Sequence, residues 1–71
     1  MTYTIYIADN CHECAAVEKA VKALNVELSF LNVDQTEAKP PIQIFAYPAL
    51  FKDDLLLAYG SDILRYLKDK A

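Results

Sequence analysis

The chain has 71 residues, of which 55% are hydrophobic and 24% charged, and its formal net charge is −3 at pH 7. This length suits one domain with a modest core, so we expect a single domain over residues 1–71, and the composition is that of an ordinary folded domain, not of a disordered chain. The seven cationic residues are scattered among ten acidic ones, which argues against a nucleic-acid partner.

Nothing in the hydropathy pattern indicates a membrane segment. The longest apolar run after the first residues covers only positions 55–59, whereas a transmembrane helix needs about 20 apolar residues. The first residues also lack the basic and then apolar pattern of a signal peptide. We therefore expect a cytoplasmic monomer that makes no membrane contact.

The first half of the chain predicts two strands joined by a helix. Residues 2–8 are rich in β-branched and aromatic side chains, as strands are. Residues 11–24 predict a helix that ends near Asn25, because apolar side chains recur there at helical spacing. These side chains are Cys14, Val17, Val21 and Leu24. Residues 26–33 predict a second strand, and this order is typical of a parallel β-α-β unit.

The second half predicts a link, a hairpin and a final helix. The link, residues 34–45, begins polar and contains two adjacent prolines, so any helix in it covers about one turn at residues 42–45. Residues 49–52 and 55–59 flank two aspartates, which is typical of a β-hairpin. Residues 61–70 predict the last helix, with Ser61 as its N-cap.

The two cysteines of the chain, Cys11 and Cys14, lie three positions apart at the predicted start of the first helix. A disulfide over so short a loop adds only roughly 2 kcal/mol of stability, so stability alone is a weak reason for this spacing. If Asn10 is the N-cap, Cys11 is the first helical residue, where the helix dipole stabilises a thiolate. We therefore predict that Cys11 is the nucleophile and that Cys14 is the more buried, resolving thiol.

The neighbours of the cysteines leave alternatives open. Glu13 can tune the dithiol, but Asn10 and Glu13 also fit an arrangement like a capping box, and we favour that structural role. His12 can place a positive charge near Cys11, or it can be a solvated residue of the helix start. Phe45, Tyr47 and Tyr59 can form an aromatic rim for a partner, but aromatic side chains of small domains usually lie in the core, and for Phe45 we favour the core.

Three separated motifs resemble the glutaredoxin and small thioredoxin-like family. They are the Cys-X-X-Cys that opens the first helix, the proline that enters the third strand at Tyr47-Pro48, and Gly60 after the hairpin. The resemblance implies a compact thioredoxin-like (glutaredoxin-like) α/β fold, β-α-β and then β-β-α, with the middle helix shortened or missing. It also implies a cis peptide bond between Tyr47 and Pro48, in a loop that faces the dithiol.

By the same resemblance, the chain is expected to be a thiol-disulfide oxidoreductase that reduces or exchanges disulfides through a redox-active Cys11-Cys14 pair. The candidate substrate-binding residues are Tyr47, Pro48, His12, Gly60 and Asp62. In the family, the residue before the cis-proline pairs its backbone with an incoming peptide or glutathione, and Asp62 loosely matches the family's site for the amino-terminal end of glutathione.

The implied partners are a protein or small-molecule disulfide as substrate, and a reductase or glutathione as electron source. No resident cofactor and no metal are expected, and glutathione is the candidate co-substrate. Many glutaredoxins carry a lysine a few residues before the first cysteine, but residues 7–10 of this chain contain none. The link at residues 34–45 also replaces the family's second helix, so a partner of the thioredoxin-reductase type is at least as consistent with the sequence as glutathione.

The alternative is a small carrier of soft metal ions. Such domains are about this long, and their paired thiolates bind Cu(I) or Zn(II). Their order of elements ends in a strand, whereas this chain is predicted to end in a helix, and Asp9 stands where they place a methionine. A third alternative is an interaction module in which the cysteines have no chemical role, but the placement of Cys11 and Cys14 argues against it.

Overall fold

The computed structural model of the protein describes residues 3–37 and 39–70. Its elements follow the predicted order, and they are β1 (Tyr3–Ile7), α1 (His12–Ala23), β2 (Leu28–Asn32), β3 (Ala49–Lys52), β4 (Leu55–Tyr59) and α2 (Asp62–Lys70). Thr2, which the sequence places in the first strand, lies outside the described residues. None of the described helices is long and apolar enough to cross a lipid bilayer.

The four strands form one sheet in the order β2-β1-β3-β4. β1 and β2 are parallel, as the β-α-β pattern predicts, and Ile7 lies opposite Asn32 at their carboxyl ends. β3 pairs antiparallel with β1 on one side and with β4 on the other. The start of β3 therefore lies beside the end of β1, from which the chain enters α1.

The hairpin of β3 and β4 contains a β-bulge that changes which side chains face the core. Leu50 lies opposite Ala58 and Phe51 opposite Leu56, so Leu57 is an extra residue on β4. A bulge of this kind interrupts the alternation of side chains along a strand. As a result, the adjacent residues Leu57 and Ala58 both pack against the helix-side core.

The core lies on both faces of the sheet. On the helix side, side chains from β1 and β3 pack against both helices, in a cluster formed by Ile5, Val17, Val21, Leu50, Ile63 and Leu67. On the opposite face, Tyr6 and Phe51 meet edge to face with ring centroids 5.3 Å apart, and Ala49 is buried beside them. Partly buried side chains of the link and its neighbours cover this second cluster, among them Val33, Ile44 and Tyr47.

The link confirms one expectation and corrects another. The described part of residues 34–45 contains no helix, in keeping with a middle helix that is shortened or missing. Pro40 and Pro41 stop a helix from running through them, because neither has an N–H and each disfavours helical backbone in the residue before it. Phe45 is 87% exposed, so its predicted place in the core is wrong. Ile44 packs against the second cluster instead.

Candidate functional site

The turn between β1 and α1 places Cys11 at the helix start. Asn10 has a positive φ of 55°, a conformation that asparagine tolerates better than most residues. Cys11 has extended backbone (φ −117°, ψ 101°), and its sulfur accepts the N–H of Cys14 at 3.0 Å. The N-cap is therefore Cys11 and not Asn10, with the cysteine sulfur taking the part of the usual capping oxygen.

The two cysteines form a disulfide, with their Cα atoms 5.2 Å apart, which is within the usual range. Their surroundings differ. Cys14 lies on the buried face of α1 and is only 3% exposed, whereas Cys11 is half-buried. An incoming molecule therefore reaches the Cys11 sulfur more readily than the Cys14 sulfur.

The loop before β3 lies against this disulfide. The Tyr47-Pro48 peptide bond is cis, and the carbonyl oxygen of Tyr47 is 3.9 Å from the Cys11 sulfur. Pro48 is fully buried, and its carbonyl accepts the N–H of Gly60 at 2.9 Å. This hydrogen bond joins the loop to the end of β4, so residues far apart in the chain meet around the sulfur of Cys11.

Glu13 joins the two helix starts. Its Oε1 atom accepts the backbone N–H of Ser61 at 3.1 Å, so the predicted capping arrangement between Asn10 and Glu13 is wrong. The first N–H groups of a helix have no partner within the helix, and a carboxylate is favoured at that end. The sequence signals an acidic residue in the first turn of α1, but no local pattern shows that its partner lies 48 positions away.

The remaining predicted binding residues, His12 and Asp62, are the first residues of α1 and α2. Both side chains are exposed. Because Glu13 holds the two helix starts together, His12 and Asp62 lie at the same end of the molecule as Tyr47, Pro48 and Gly60. Of the predicted binding residues, Tyr47 is the one whose contact with the Cys11 sulfur the structure gives, at 3.9 Å from its carbonyl oxygen.

Comparison with models of protein families gives no match, and comparison with curated proteins gives none either. Among solved structures, the crystal structure of the thioredoxin-like protein BC3987 superposes with a TM-score of 0.69, over 97% of this chain and 99% of that one, at 15% identity. The crystal structure of a mutant of BC3987 gives a TM-score of 0.67 over 94% and 95% of the two chains, also at 15% identity. The chain has a thioredoxin-like fold. The predicted fold class is confirmed, and sequence identity this low shows the fold alone.

Side chains at and just after the ends of the two parallel strands of the thioredoxin-like fold support the turn before Cys11. Oδ1 of Asp9 accepts the side-chain amide of Asn32 at 3.1 Å and that of Gln35 at 2.9 Å. The backbone N–H of Asp9 donates to Oδ2 of Asp34 at 2.8 Å. No local sequence pattern signals this network, because it joins loops separated by a helix and a strand.

Among the described residues, no group of three or more histidine, cysteine, aspartate or glutamate side chains is placed to hold a metal ion. In this thioredoxin-like fold, the soft-metal ligands that the metal-carrier alternative would use are the sulfurs of Cys11 and Cys14. They become available only when the disulfide is reduced.

Replacing Gly60 with alanine is expected to destabilise the thioredoxin-like fold by about 1–2 kcal/mol, because Gly60 has a positive φ of 55° that residues with a Cβ adopt at a cost. A Cβ at this position would also press on the carboxylate of Glu13. Urea unfolding measures the loss. In a Glu13→Ala background the same change should still cost about 1 kcal/mol, since only the backbone strain remains. An unchanged stability in both backgrounds would contradict this role of Gly60.

Proposed function

We propose that the protein is a thiol-disulfide oxidoreductase that uses Cys11 as nucleophile and Cys14 as resolving thiol. The observation that carries the proposal is the asymmetry of the disulfide. One sulfur caps a helix, is accessible and faces the carbonyl of Tyr47, while the other is 3% exposed in the core. A structural disulfide has no need of this asymmetry, whereas exchange through a mixed disulfide requires one reachable sulfur and one protected sulfur.

The reaction begins with the reduced protein. The Cys11 thiolate attacks one sulfur of a substrate disulfide, forms a mixed disulfide with it, and releases the other substrate sulfur as a thiolate that takes up a proton. The Cys14 thiol then loses its proton and attacks the Cys11 sulfur, which releases the second substrate thiol. The substrate gains two electrons and two protons, and the protein is left with the Cys11-Cys14 disulfide.

The local structure supports both steps. The N–H of Cys14 points to the Cys11 sulfur at 3.0 Å, and the dipole of α1 acts in the same direction, so negative charge on Cys11 is favoured. Burial of Cys14 keeps it from solvent and from external disulfides, while its place in the same turn keeps it within reach of Cys11. The Tyr47 carbonyl lies beside the Cys11 sulfur, and we propose that the Tyr47 backbone pairs with the substrate while the buried Pro48 holds the loop in place and His12, Gly60 and Asp62 complete the binding residues.

We further propose that a reductase dithiol of the thioredoxin-reductase type, and not glutathione, returns electrons to the disulfide. The absence of a basic residue at positions 7–10 supports this choice, since a glutathione carboxylate would find no cation there. A close cysteine pair with a chemical role suits a reducing compartment, and we propose that the protein acts in the cytoplasm as a monomer.

Titration of the metal-free protein in glutathione and dithiothreitol buffers tests the function. Thiol alkylation followed by mass measurement reports the disulfide, and we expect a reversible transition with a potential between about −120 and −270 mV, the range of known dithiol oxidoreductases. Each single cysteine-to-serine variant is a control that cannot form the internal disulfide. If no disulfide forms in this range and the thiols bind Cu(I) or Zn(II) in a defined ratio, the metal-carrier alternative replaces the proposal.

A further inference from the structure

A cavity of about 380 Å³ lies beside the candidate site. The link contributes most of its wall, with Val33 at one side and Tyr47 at the other. Tyr47 belongs to both places, because its carbonyl oxygen is 3.9 Å from the Cys11 sulfur. A molecule bound through its own sulfur to Cys11 therefore lies beside a residue of the cavity wall.

The cavity has a distinct chemical character. Lys39 is the one charged residue among those that line it, and the others are mainly apolar, including Ile42 and Ile44. Ile42 is 50% exposed, and the neighbouring Phe45 is 87% exposed. These two are among three large hydrophobic side chains exposed in the described part of the chain. The link thus concentrates exposed apolar surface and one cation near the disulfide of an otherwise acidic protein.

We propose that this cavity is a substrate subsite for the segment that flanks the reactive cysteine of a disulfide-bonded protein. The preferred segment carries an apolar side chain and, next to it, a carboxylate. The inference rests on the proposed function, since it places the substrate by its mixed disulfide with Cys11. An extended chain advances about 3.3 Å per residue, so residues within about three positions of the substrate cysteine reach the cavity past Tyr47.

Each part of the segment has a partner in the cavity. The apolar side chain removes Ile42 and its neighbours from water, which is the main source of binding energy at such a surface. The carboxylate pairs with Lys39, and because that lysine is exposed the pair contributes selectivity of a few-fold and not tight binding. The surrounding acidic residues would repel a carboxylate elsewhere on the surface, so Lys39 also determines where an acidic segment lies.

A charge-swap experiment tests the subsite. Two synthetic peptide disulfides are made that share a cysteine and a flanking leucine and differ in the next residue, which is glutamate in one and lysine in the other. The native protein is expected to reduce the glutamate peptide about threefold more efficiently, measured as kcat/KM at low salt, and Lys39→Glu is expected to reverse this preference. The difference should disappear at about 1 M salt.

The controls distinguish binding of the flanking segment in the cavity from disulfide reduction at Cys11. Lys68→Glu makes the same charge change at the opposite end of α2 from Ser61 and should leave the native preference unchanged. Ile42→Ala should lower the preference for a flanking leucine over alanine, with KM rising and kcat retained. Reduction of 2-hydroxyethyl disulfide by the native protein reports the chemistry without any flanking segment.

The outcomes are distinguishable. If 2-hydroxyethyl disulfide is reduced but Lys39→Glu shows the same preference between the two peptides as Lys68→Glu, the subsite proposal is overturned and the proposed oxidoreductase function stands. If the native protein reduces neither the peptides nor the small disulfide, the proposed function fails and the subsite fails with it. A preference that reverses in Lys39→Glu alone supports the subsite.

Discussion

Replacement of Cys11 by serine is expected to abolish disulfide reduction, with loss of at least about 1,000-fold in kcat/KM. A serine hydroxyl is not appreciably ionised at neutral pH and forms no disulfide, so no mixed disulfide arises. Cys14 cannot replace Cys11 as nucleophile, because it lies on the buried face of α1 and is only 3% exposed. The measurement is reduction of 2-hydroxyethyl disulfide by the reduced protein, coupled to a dithiol that regenerates it.

Cys14→Ser is the matched control for this experiment. It keeps the nucleophile, so it should still react once with a disulfide and remain bound to it, and mass spectrometry should find the mixed disulfide on Cys11. Turnover should be slow unless an external thiol resolves the intermediate. Reductase activity in Cys11→Ser that is lost in Cys14→Ser would reverse the two assignments.

Phe51→Ala is expected to cost about 3–5 kcal/mol of unfolding free energy, the usual range for deletion of a buried aromatic side chain. Phe51 is fully buried in β3, and its ring lies 5.3 Å from that of Tyr6. Small domains have total stabilities near the low end of about 5–15 kcal/mol. We therefore expect the variant to be largely unfolded at 37 °C, measured by far-ultraviolet circular dichroism and urea titration.

Phe45→Ala makes the same change at an exposed site. Phe45 is 87% exposed, so its truncation should alter stability by no more than about 0.5 kcal/mol. Because both variants remove the same side chain, the difference between their losses of stability reports the effect of burial and not of residue type. Equal losses at the two positions would contradict this prediction and would show that Phe45 is part of the core.

The predictions that held rest on local patterns. The spacing of Val17 and Val21 marks the buried face of α1, and the two aspartates between apolar runs mark the hairpin turn. These signals hold because helices and strands have fixed periods, so neighbouring residues report which face is buried. The β-α-β order in turn constrained the sheet, since its two strands pair in parallel.

The predictions that failed concern side chains that could make either a local contact or a contact with a distant part of the chain. Asn10 and Glu13 fit a local capping pattern, yet Cys11 caps the helix with its sulfur and Glu13 bonds to Ser61. Phe45 was assigned to the core from residue type, although Ile44 takes the inward position. In each case local geometry allowed two arrangements, and packing against a distant element selected one.

The sequence by itself determined the order of elements, the pairing of two cysteines in one helical turn, and the three motifs that indicate a thioredoxin-like fold. Only the tertiary structure decided that Glu13 joins the two helices and that the link forms a cavity beside the disulfide. The reason is physical. Periodicity and spacing depend on residues a few positions apart, whereas these contacts join segments that meet only after the sheet has placed β3 beside β1.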